Sequence, residues 1–287
     1  MKVLKYSFFL MIIFLNHLYS QELRVEIDKE EYYFQEDIYI YVTLENTTDE
    51  PKTFYHFLYL MDGIGIDVLL WDNNETKVEK SQYSFVHYSE APSITLKPGE
   101  SKLEIVDLFE SYGQRGSYFP RGVRYALEVG QYTMQIVYTN PDETRRRTNP
   151  IYSDKIQFNV VEPPEAEKEV LEVLRASFPP RRELDKEEER TALKQILKTY
   201  PNSVYAPRMY ERLASLHYPE NMNEMKKYLL KLIETYPDNG LAVRTLHNQV
   251  LRRDMVSEQE REELINKLIE TKSDTKVGRY LLNRQNR

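Results

Sequence analysis

Hydrophobic and polar residues alternate through the first half of the chain. Apolar side chains occupy every second position from Ile38 to Leu44, and the same period of two returns from Tyr132 to Tyr138. This period is typical of half-buried β-strands with one face inward. Turn residues, such as the run from Asn46 to Pro51, separate these segments from other short extended runs. Six or seven short strands over about 140 residues predict an antiparallel β-sandwich, with Tyr39 and Tyr41 on its partly exposed face.

The pattern changes after Pro163 and Pro164, which end the last predicted strand because proline cannot donate to a β-ladder. Helix formers then extend to Phe178. Farther on, the sequence ILKTYP of residues 196–201 recurs as LIETYP at 232–237 and as LIETK at 268–272, so each copy begins 36 residues after the previous one. A period of this length indicates stacked pairs of helices. We expect about three pairs between residues 184 and 282, with Ser203 as the N-cap of one helix.

Two sets of residues carry resemblances to known families. They are Asp28-Lys29, Tyr33, Glu36-Asp37-Ile38, Leu44-Glu45-Asn46, Pro51, Leu96 to Glu100 and Val129 to Tyr132 in the first half, and Tyr200 to Ala206, Leu213-Ala214, Tyr228-Leu229 and Tyr236-Pro237 in the second. With these residues the first half is similar to the immunoglobulin-like domains of exported bacterial proteins, in particular small sandwiches that include an intracellular proteinase inhibitor, although it lacks the Cys pair and core Trp of antibody domains. The second half resembles the tetratricopeptide repeats of bacterial envelope assembly proteins.

The two resemblances imply a multi-domain chain that is all-β and then all-α. An antiparallel immunoglobulin-like β-sandwich over residues 21–162 is followed by a linker or connecting helix over 163–183. A short tetratricopeptide-like α-helical repeat array then occupies residues 184–287, with its last pair acting as a polar cap.

The N-terminus has the composition of a secretory signal peptide over residues 1–20. Lys2 and Lys5 precede an almost wholly apolar stretch from Ser7 to Leu15, and small Ser20 stands before a plausible cleavage point. The alternative is an uncleaved anchor, but the apolar stretch is shorter than the roughly 20 residues that span a bilayer. We therefore expect an exported protein, periplasmic or extracellular, without a stable membrane anchor after cleavage.

Composition narrows the possible chemistry. The 287 residues include no Cys, which excludes disulfides, Cys-ligated zinc and thiol nucleophiles. Residues 21–162 carry 14 basic and 25 acidic side chains, whereas residues 163–287 carry 23 and 21. The acidic first half disfavours nucleic-acid binding. The basic run Arg145, Arg146 and Arg147 is flanked by turn residues and indicates a solvated hairpin loop.

The sequence contains no recognisable catalytic, cofactor-binding or metal-binding motif. The histidines do not form H-E-x-x-H or another ligand spacing, the two glycines of a lone G-x-G are not followed by a third, and three aspartates spaced five apart do not match a calcium loop. We therefore predict a protein that is not an enzyme and has no cofactor. The residues considered are His56, His87, His217, His247, Gly63, Gly65, Asp62, Asp67 and Asp72.

The repeat register points to a binding face. Arg208 and Arg244 occupy equivalent repeat positions, as do Arg212 and Asn248. Arginine meets carboxylates bidentately, so these four residues are the candidates for binding a protein or an extended peptide in the cell envelope. The simpler alternative for the arginines is surface solubility.

Two other functions remain open at this stage. The likeness to a proteinase inhibitor allows a sandwich whose loops enter a protease active site. The high tyrosine content allows a carbohydrate-binding module, because exposed aromatic rings stack on sugars. Residues 112–122, rich in Gly, Arg and aromatic side chains, have the composition of a contact loop.

Overall fold

The computed structural model describes residues 21–55, 65–80, 93–112, 127–140, 150–178, 184–251 and 256–285. Three sequence predictions lie outside these residues: the signal peptide at 1–20, all but the first residue of the contact loop at 112–122, and the loop with Arg145, Arg146 and Arg147.

In the described chain, the strands and one short helix come first and the other helices follow. The strands are β1 (Gln21–Ile27), β2 (Glu31–Tyr33), β3 (Tyr39–Asn46), β4 (Lys52–Tyr55), β5 (Gly65–Trp71), β6 (Ser93–Leu96), β7 (Ser101–Asp107), β8 (Gly130–Thr139), β9 (Ile151–Tyr152) and β10 (Ile156–Val161). The helices are α1 (Leu108–Tyr112), α2 (Glu165–Ser177), α3 (Lys186–Thr199), α4 (Ala206–His217), α5 (Met222–Thr235), α6 (Gly240–Thr245), α7 (Glu258–Lys272) and α8 (Lys276–Gln285), with a π-helical turn, Leu246–Val250, directly after α6.

The predicted change at Pro163 and Pro164 is confirmed. Strand β10 ends at Val161, and α2 begins at Glu165. All described elements after these prolines are helical, and antiparallel sheets precede them. The mixed β and α character of the prediction is therefore confirmed in its coarse form.

The chain divides into two compact units, each described here by itself. The first contains the described residues of 1–27, 40–111 and 131–158. The second contains Asp28–Tyr39 and the described residues of 112–130 and 159–287. The domain boundaries at residues 162 and 183 stay predictions.

The first unit is built from short sheets. Strands β1, β3 and β7 form one sheet, β4 and β6 form a ribbon, and β10, β8 and β5 form another sheet, in which β9 also pairs with β8. Alternation works as the sequence indicates: Val42 and Leu44 on β3 are fully buried, while Tyr41 and Thr43 between them are half-buried. Strand β5 has a similar pattern, which the sequence reading missed.

Asn46 links two turns of the first unit. Its fully buried side-chain amide donates to the carbonyl oxygens of Glu50 at 2.8 Å and Leu96 at 2.9 Å, and its carbonyl oxygen accepts from the backbone N–H of Thr48. Gly99 completes the second turn with φ +74°, a conformation that glycine adopts without steric cost.

The second unit repeats the 36-residue period in its helix starts. Helices α3, α5 and α7 begin at Lys186, Met222 and Glu258, each 36 residues after the one before. The residues that precede them are Asp185, Asn221 and Ser257, and each side chain accepts a backbone N–H from the first turn of its helix. Each also stands three residues before a glutamate, which is the spacing of a capping box. The repeat is therefore marked at the start of these helices as well as at their ends.

Alanine at these caps is expected to destabilise the repeats. Asp185→Ala, Asn221→Ala and Ser257→Ala each leave first-turn N–H groups without their acceptor, at a cost of about 1 kcal/mol in the free energy of unfolding. Urea denaturation measures this, with the exposed mid-helix substitution Thr191→Ala as the control. Equal stabilities for the cap variants and the control would contradict the assignment.

The Tyr-Pro motif ends two helices, and its tyrosine hydroxyls hydrogen-bond to earlier parts of the second unit. Tyr200 and Tyr236 have nearly the same backbone angles, φ −126° and ψ 59° against φ −124° and ψ 54°. Proline disfavours the helical conformation in the residue before it, so both helices stop there. Each tyrosine hydroxyl then donates to an earlier part of the unit: Tyr200 to the Glu169 carboxylate at 2.7 Å and Tyr236 to the Pro201 carbonyl.

Two local expectations were wrong. Ser203 is not the N-cap of α4, because the helix begins at Ala206 after Tyr205; the Ser203 hydroxyl instead donates to Glu167 at 2.6 Å. Tyr39 is not partly exposed but 1% exposed. A fully buried Tyr39 does not belong to an exposed aromatic row of the kind that stacks on sugars.

Candidate functional site

The four predicted binding residues lie on two helical segments of the second unit that contact each other. Arg208 and Arg212 are on α4, Arg244 is on α6, and Asn248 is in the π-helical turn that follows α6. All four side chains are half-buried. The structure thus brings the two pairs of repeat-equivalent residues onto neighbouring segments.

Arg212 is engaged with a buried carboxylate of the preceding helix. Its guanidinium donates to both oxygens of Glu189 on α3, at 2.6 and 3.0 Å. The Glu189 side chain is only 1% exposed, so its charge is almost removed from water. A buried carboxylate needs such a partner, because desolvating an unpaired charge costs several kcal/mol. The Arg212 pairing therefore holds α3 against α4.

Arg208 faces carboxylates of its own chain. Its guanidinium lies 3.2 Å from the Asp37 carboxylate and donates to Glu211, one turn along α4, at 2.8 Å. The side chains of Arg208 and Asp37 are 21% and 14% exposed. Arg208 was expected to bind carboxylates of a partner; one of the carboxylates that it meets belongs instead to residues 28–39 of its own chain.

Residues Asp28–Tyr39, called the docked segment below, lie along the repeats of the second unit. The Tyr205 hydroxyl, just before α4, donates to the Phe34 carbonyl at 2.8 Å. Lys276, the first residue of α8, donates to the Asp28 carbonyl at 3.0 Å and lies 3.6 Å from its carboxylate. Successive repeats thus contact one stretch of chain through backbone carbonyls and carboxylates.

Glycine is required where the docked segment meets α6. A Cβ atom at Gly240, the first residue of α6, would lie 2.5 Å from Cβ of Tyr39 and 2.8 Å from its ring. Real side chains do not approach so closely, and Tyr39 is itself only 1% exposed, so its ring cannot turn away into solvent. The helix and the segment therefore fit only because position 240 has no side chain.

An ion pair holds the docked segment in shape. The Lys29 ammonium lies 2.6 Å from both carboxylate oxygens of Glu36, and one of these oxygens also accepts the Tyr33 N–H at 3.0 Å. Glu36 is 6% exposed, and its burial raises the pKa of the carboxyl, while Lys29 opposes that rise. Strand β2 within the segment pairs in parallel with the end of β10.

His217 is a buried structural histidine at the end of α4. Its ring stacks on Tyr228, with centroids 5.6 Å apart and planes 13° from parallel. Burial lowers the pKa of the imidazole; Arg190 and Lys194 add to this, and the carboxylates of Glu224 and Glu187 oppose it. The neutral ring is thus the form that fits between α4 and α5.

The stability of the protein should therefore fall on acidification through His217. Since the folded pKa lies below the unfolded value of about 6.5, the unfolded state takes up the proton first, and this contribution to stability is lost as the pH falls below about 6.5. Urea denaturation at several pH values measures the loss. His217→Phe should reduce the pH dependence in this window; an unchanged dependence would contradict the assignment.

Within the described residues, no three His, Asp or Glu side chains are placed to hold a metal ion. His247 contacts the hydroxyl of Tyr280. In the same part of the chain, every helix is too short or too polar to span a bilayer.

Comparison with known proteins leaves the family undetermined. No family model matches, and no curated protein matches. Among solved structures, the chain is similar to a β-glucosidase mutant from Listeria innocua in complex with laminaribiose (16% identity over 49% of this chain and 16% of that one, TM-score 0.26). It is also similar to a CARDB domain from Pyrococcus furiosus in complex with di-metal ions (9% identity over 50% of this chain and 94% of that one, TM-score 0.25). A third similar structure is the sporulation control protein Spo0M from Bacillus subtilis (14% identity over 55% of this chain and 56% of that one, TM-score 0.27).

This chain therefore spans about one sixth of the β-glucosidase that it matches. Similarities with TM-scores this low carry no argument about fold or function.

Proposed function

We propose that this protein is an exported, non-enzymatic interaction protein of the bacterial cell envelope. An immunoglobulin-like sandwich would carry a short array of tetratricopeptide-like repeats, and the repeats would bind a protein or an extended peptide. The partner-binding face is the one formed by α4, α6 and the π-helical turn.

The docked segment is the observation that carries this proposal. Successive repeats hold twelve residues of the chain through Tyr205, Arg208, Gly240 and Lys276. Hydroxyl and ammonium groups that reach backbone carbonyls recognise a polypeptide whatever its side chains, while charged contacts select acids. The repeats thus possess the chemistry that an extended acidic polypeptide requires.

The docked segment also divides the four candidate residues. Arg208 binds a carboxylate of the docked segment and Arg212 one of α3, and we assign these two residues to positioning the segment and the helices. Arg244 and Asn248 are the repeat equivalents on the next helical segment and are half-buried, so that part of each side chain meets solvent. We place the partner contact at these two residues.

Site-specific photocrosslinking tests the placement. A photoreactive phenylalanine replaces Arg244 or Asn248 in the full chain, produced in its native host, and the control carries it at exposed Lys194 on α3. Both test positions should trap the same protein, and the control should not. The proposal is contradicted if the same protein is trapped equally at Lys194, or if neither test position traps any protein.

A further inference from the structure

A surface groove follows α5. It has a volume of about 530 Å³, and the residues that line it include Asn223, Lys226, Lys227, Leu230 and Lys231. None of these belongs to the docked segment or to the four candidate residues. The groove is therefore a separate surface.

Two parallel rows of side chains follow α5 at the groove. Met222, Lys226 and Leu230 follow each other at four-residue intervals, and so do Asn223, Lys227 and Lys231. Residues four apart lie on the same side of a helix, so a row that alternates apolar and basic side chains runs beside a basic row. All of these residues except Met222 line the groove, and Met222, at the start of the first row, is 44% exposed.

The lysines of the basic row stand over aromatic rings. The Lys227 ammonium lies 6.0 Å from the centroid of the Tyr228 ring, and that of Lys231 lies 5.8 Å from the centroid of Tyr210. Such cation–π contacts restrict where the ammonium groups sit. Less side-chain entropy then remains to be lost when an anion binds.

The carboxylates near the groove form exposed ion pairs that a ligand can exchange. Lys226 meets Glu260 of α7 at 2.7 Å, and Lys227 meets Glu224 at 3.1 Å. Exposed pairs of this kind contribute little to stability, because water screens their charges. An incoming carboxylate can therefore replace them at little cost, while Leu230 and Met222 receive an apolar side chain.

We infer that the α5 groove binds an acidic polypeptide segment that carries an apolar side chain. Charge complementarity supports this ligand, because three lysines and one glutamate, Glu234, line the groove. A polypeptide fits better than an anionic bilayer, because the carboxylates of Glu224, Glu234 and Glu260 interrupt the positive charge, whereas membrane-binding patches are clusters of basic residues. The inference rests on the proposed role as an interaction protein but uses a different helix.

Fluorescence anisotropy with the purified full chain tests the inference. The probe is a fluorescein-labelled twelve-residue peptide of glutamate and glycine with one central leucine. Lys227→Ala/Lys231→Ala should weaken its binding about tenfold, since two charge contacts together contribute about 1.4 kcal/mol. Met222→Ser should weaken it severalfold, and 0.5 M salt should weaken it by screening.

A matched control separates the groove from general charge. Lys194 and Lys198 are exposed and four residues apart on α3, the helix that precedes α5 by one repeat. Lys194→Ala/Lys198→Ala should leave the affinity within about twofold. Equal weakening by both pairs, no binding of the peptide, or binding only to vesicles of anionic phospholipid would overturn the inference. None of these outcomes bears on the crosslinking at Arg244 and Asn248, so the two proposals fail separately.

Discussion

Replacing Arg212 with alanine is expected to lower the free energy of unfolding by about 3–5 kcal/mol. The substitution leaves the Glu189 carboxylate, 1% exposed, without the guanidinium that binds both of its oxygens. An uncompensated charge in that position must be desolvated or protonated, and either process costs free energy. Urea denaturation at neutral pH measures the loss.

A double variant shows whether the buried charge is the cause. Arg212→Ala/Glu189→Leu removes both charges and fills the space with an apolar side chain, so it should be markedly more stable than Arg212→Ala alone. Gln195→Ala, an exposed substitution on α3, serves as the control and should change stability little. A loss below about 1 kcal/mol in Arg212→Ala would show that Glu189 reaches water without its partner.

Gly278→Ala is expected to destabilise the end of the repeats by about 2–3 kcal/mol. Gly278 lies in the first turn of α8, and a Cβ there would overlap the carbonyl oxygen of Lys272 and approach Cα of Ser273. Backbone atoms cannot rotate away as a flexible side chain can. The turn between α7 and α8 must therefore open, and the N–H of Thr275, which donates to the Lys272 carbonyl at 3.0 Å, loses its geometry.

Hydrogen exchange locates this effect. Amides of α8 should exchange faster in Gly278→Ala than in the wild type, while amides of α4 should change little, because stability varies locally along stacked repeats. Arg284→Ala, an exposed substitution in the same helix, is the control. Wild-type exchange rates in α8 of the glycine variant would contradict the close approach at Gly278.

Local patterns in the sequence predicted much of the fold. Alternation between Ile38 and Leu44 identified β3, and the change at Pro163 separated strands from helices. The 36-residue motif predicted the spacing of the helices. The N-cap residues Asp185, Asn221 and Ser257 have the same spacing but were not predicted from the sequence. The immunoglobulin-like and tetratricopeptide-like identities stay predictions.

The carboxylates that bind Arg208 and Arg212 could not be predicted from local sequence patterns. Repeat register placed Arg208 and Arg212 at positions suited to carboxylates, but Asp37 comes from far along the chain, inside the predicted sandwich. Glu189 looks like any acid in the first turn of a helix, and only tertiary packing makes it 1% exposed. Tyr39 was expected to be partly exposed because period two describes a sheet with one free face, whereas Gly240 of α6 lies against this residue.

The docked segment packs against the repeats within a single unit, and Gly240→Ala tests this packing through the direction in which the free energy of unfolding changes. At an unobstructed helical position, alanine in place of glycine raises the free energy of unfolding by about 0.5–1 kcal/mol. Against Tyr39 the added methyl group has no room, so we expect the free energy of unfolding to fall instead. In a Tyr39→Ala background the same substitution should no longer destabilise. A Gly240→Ala protein more stable than the wild type in urea denaturation would contradict the account.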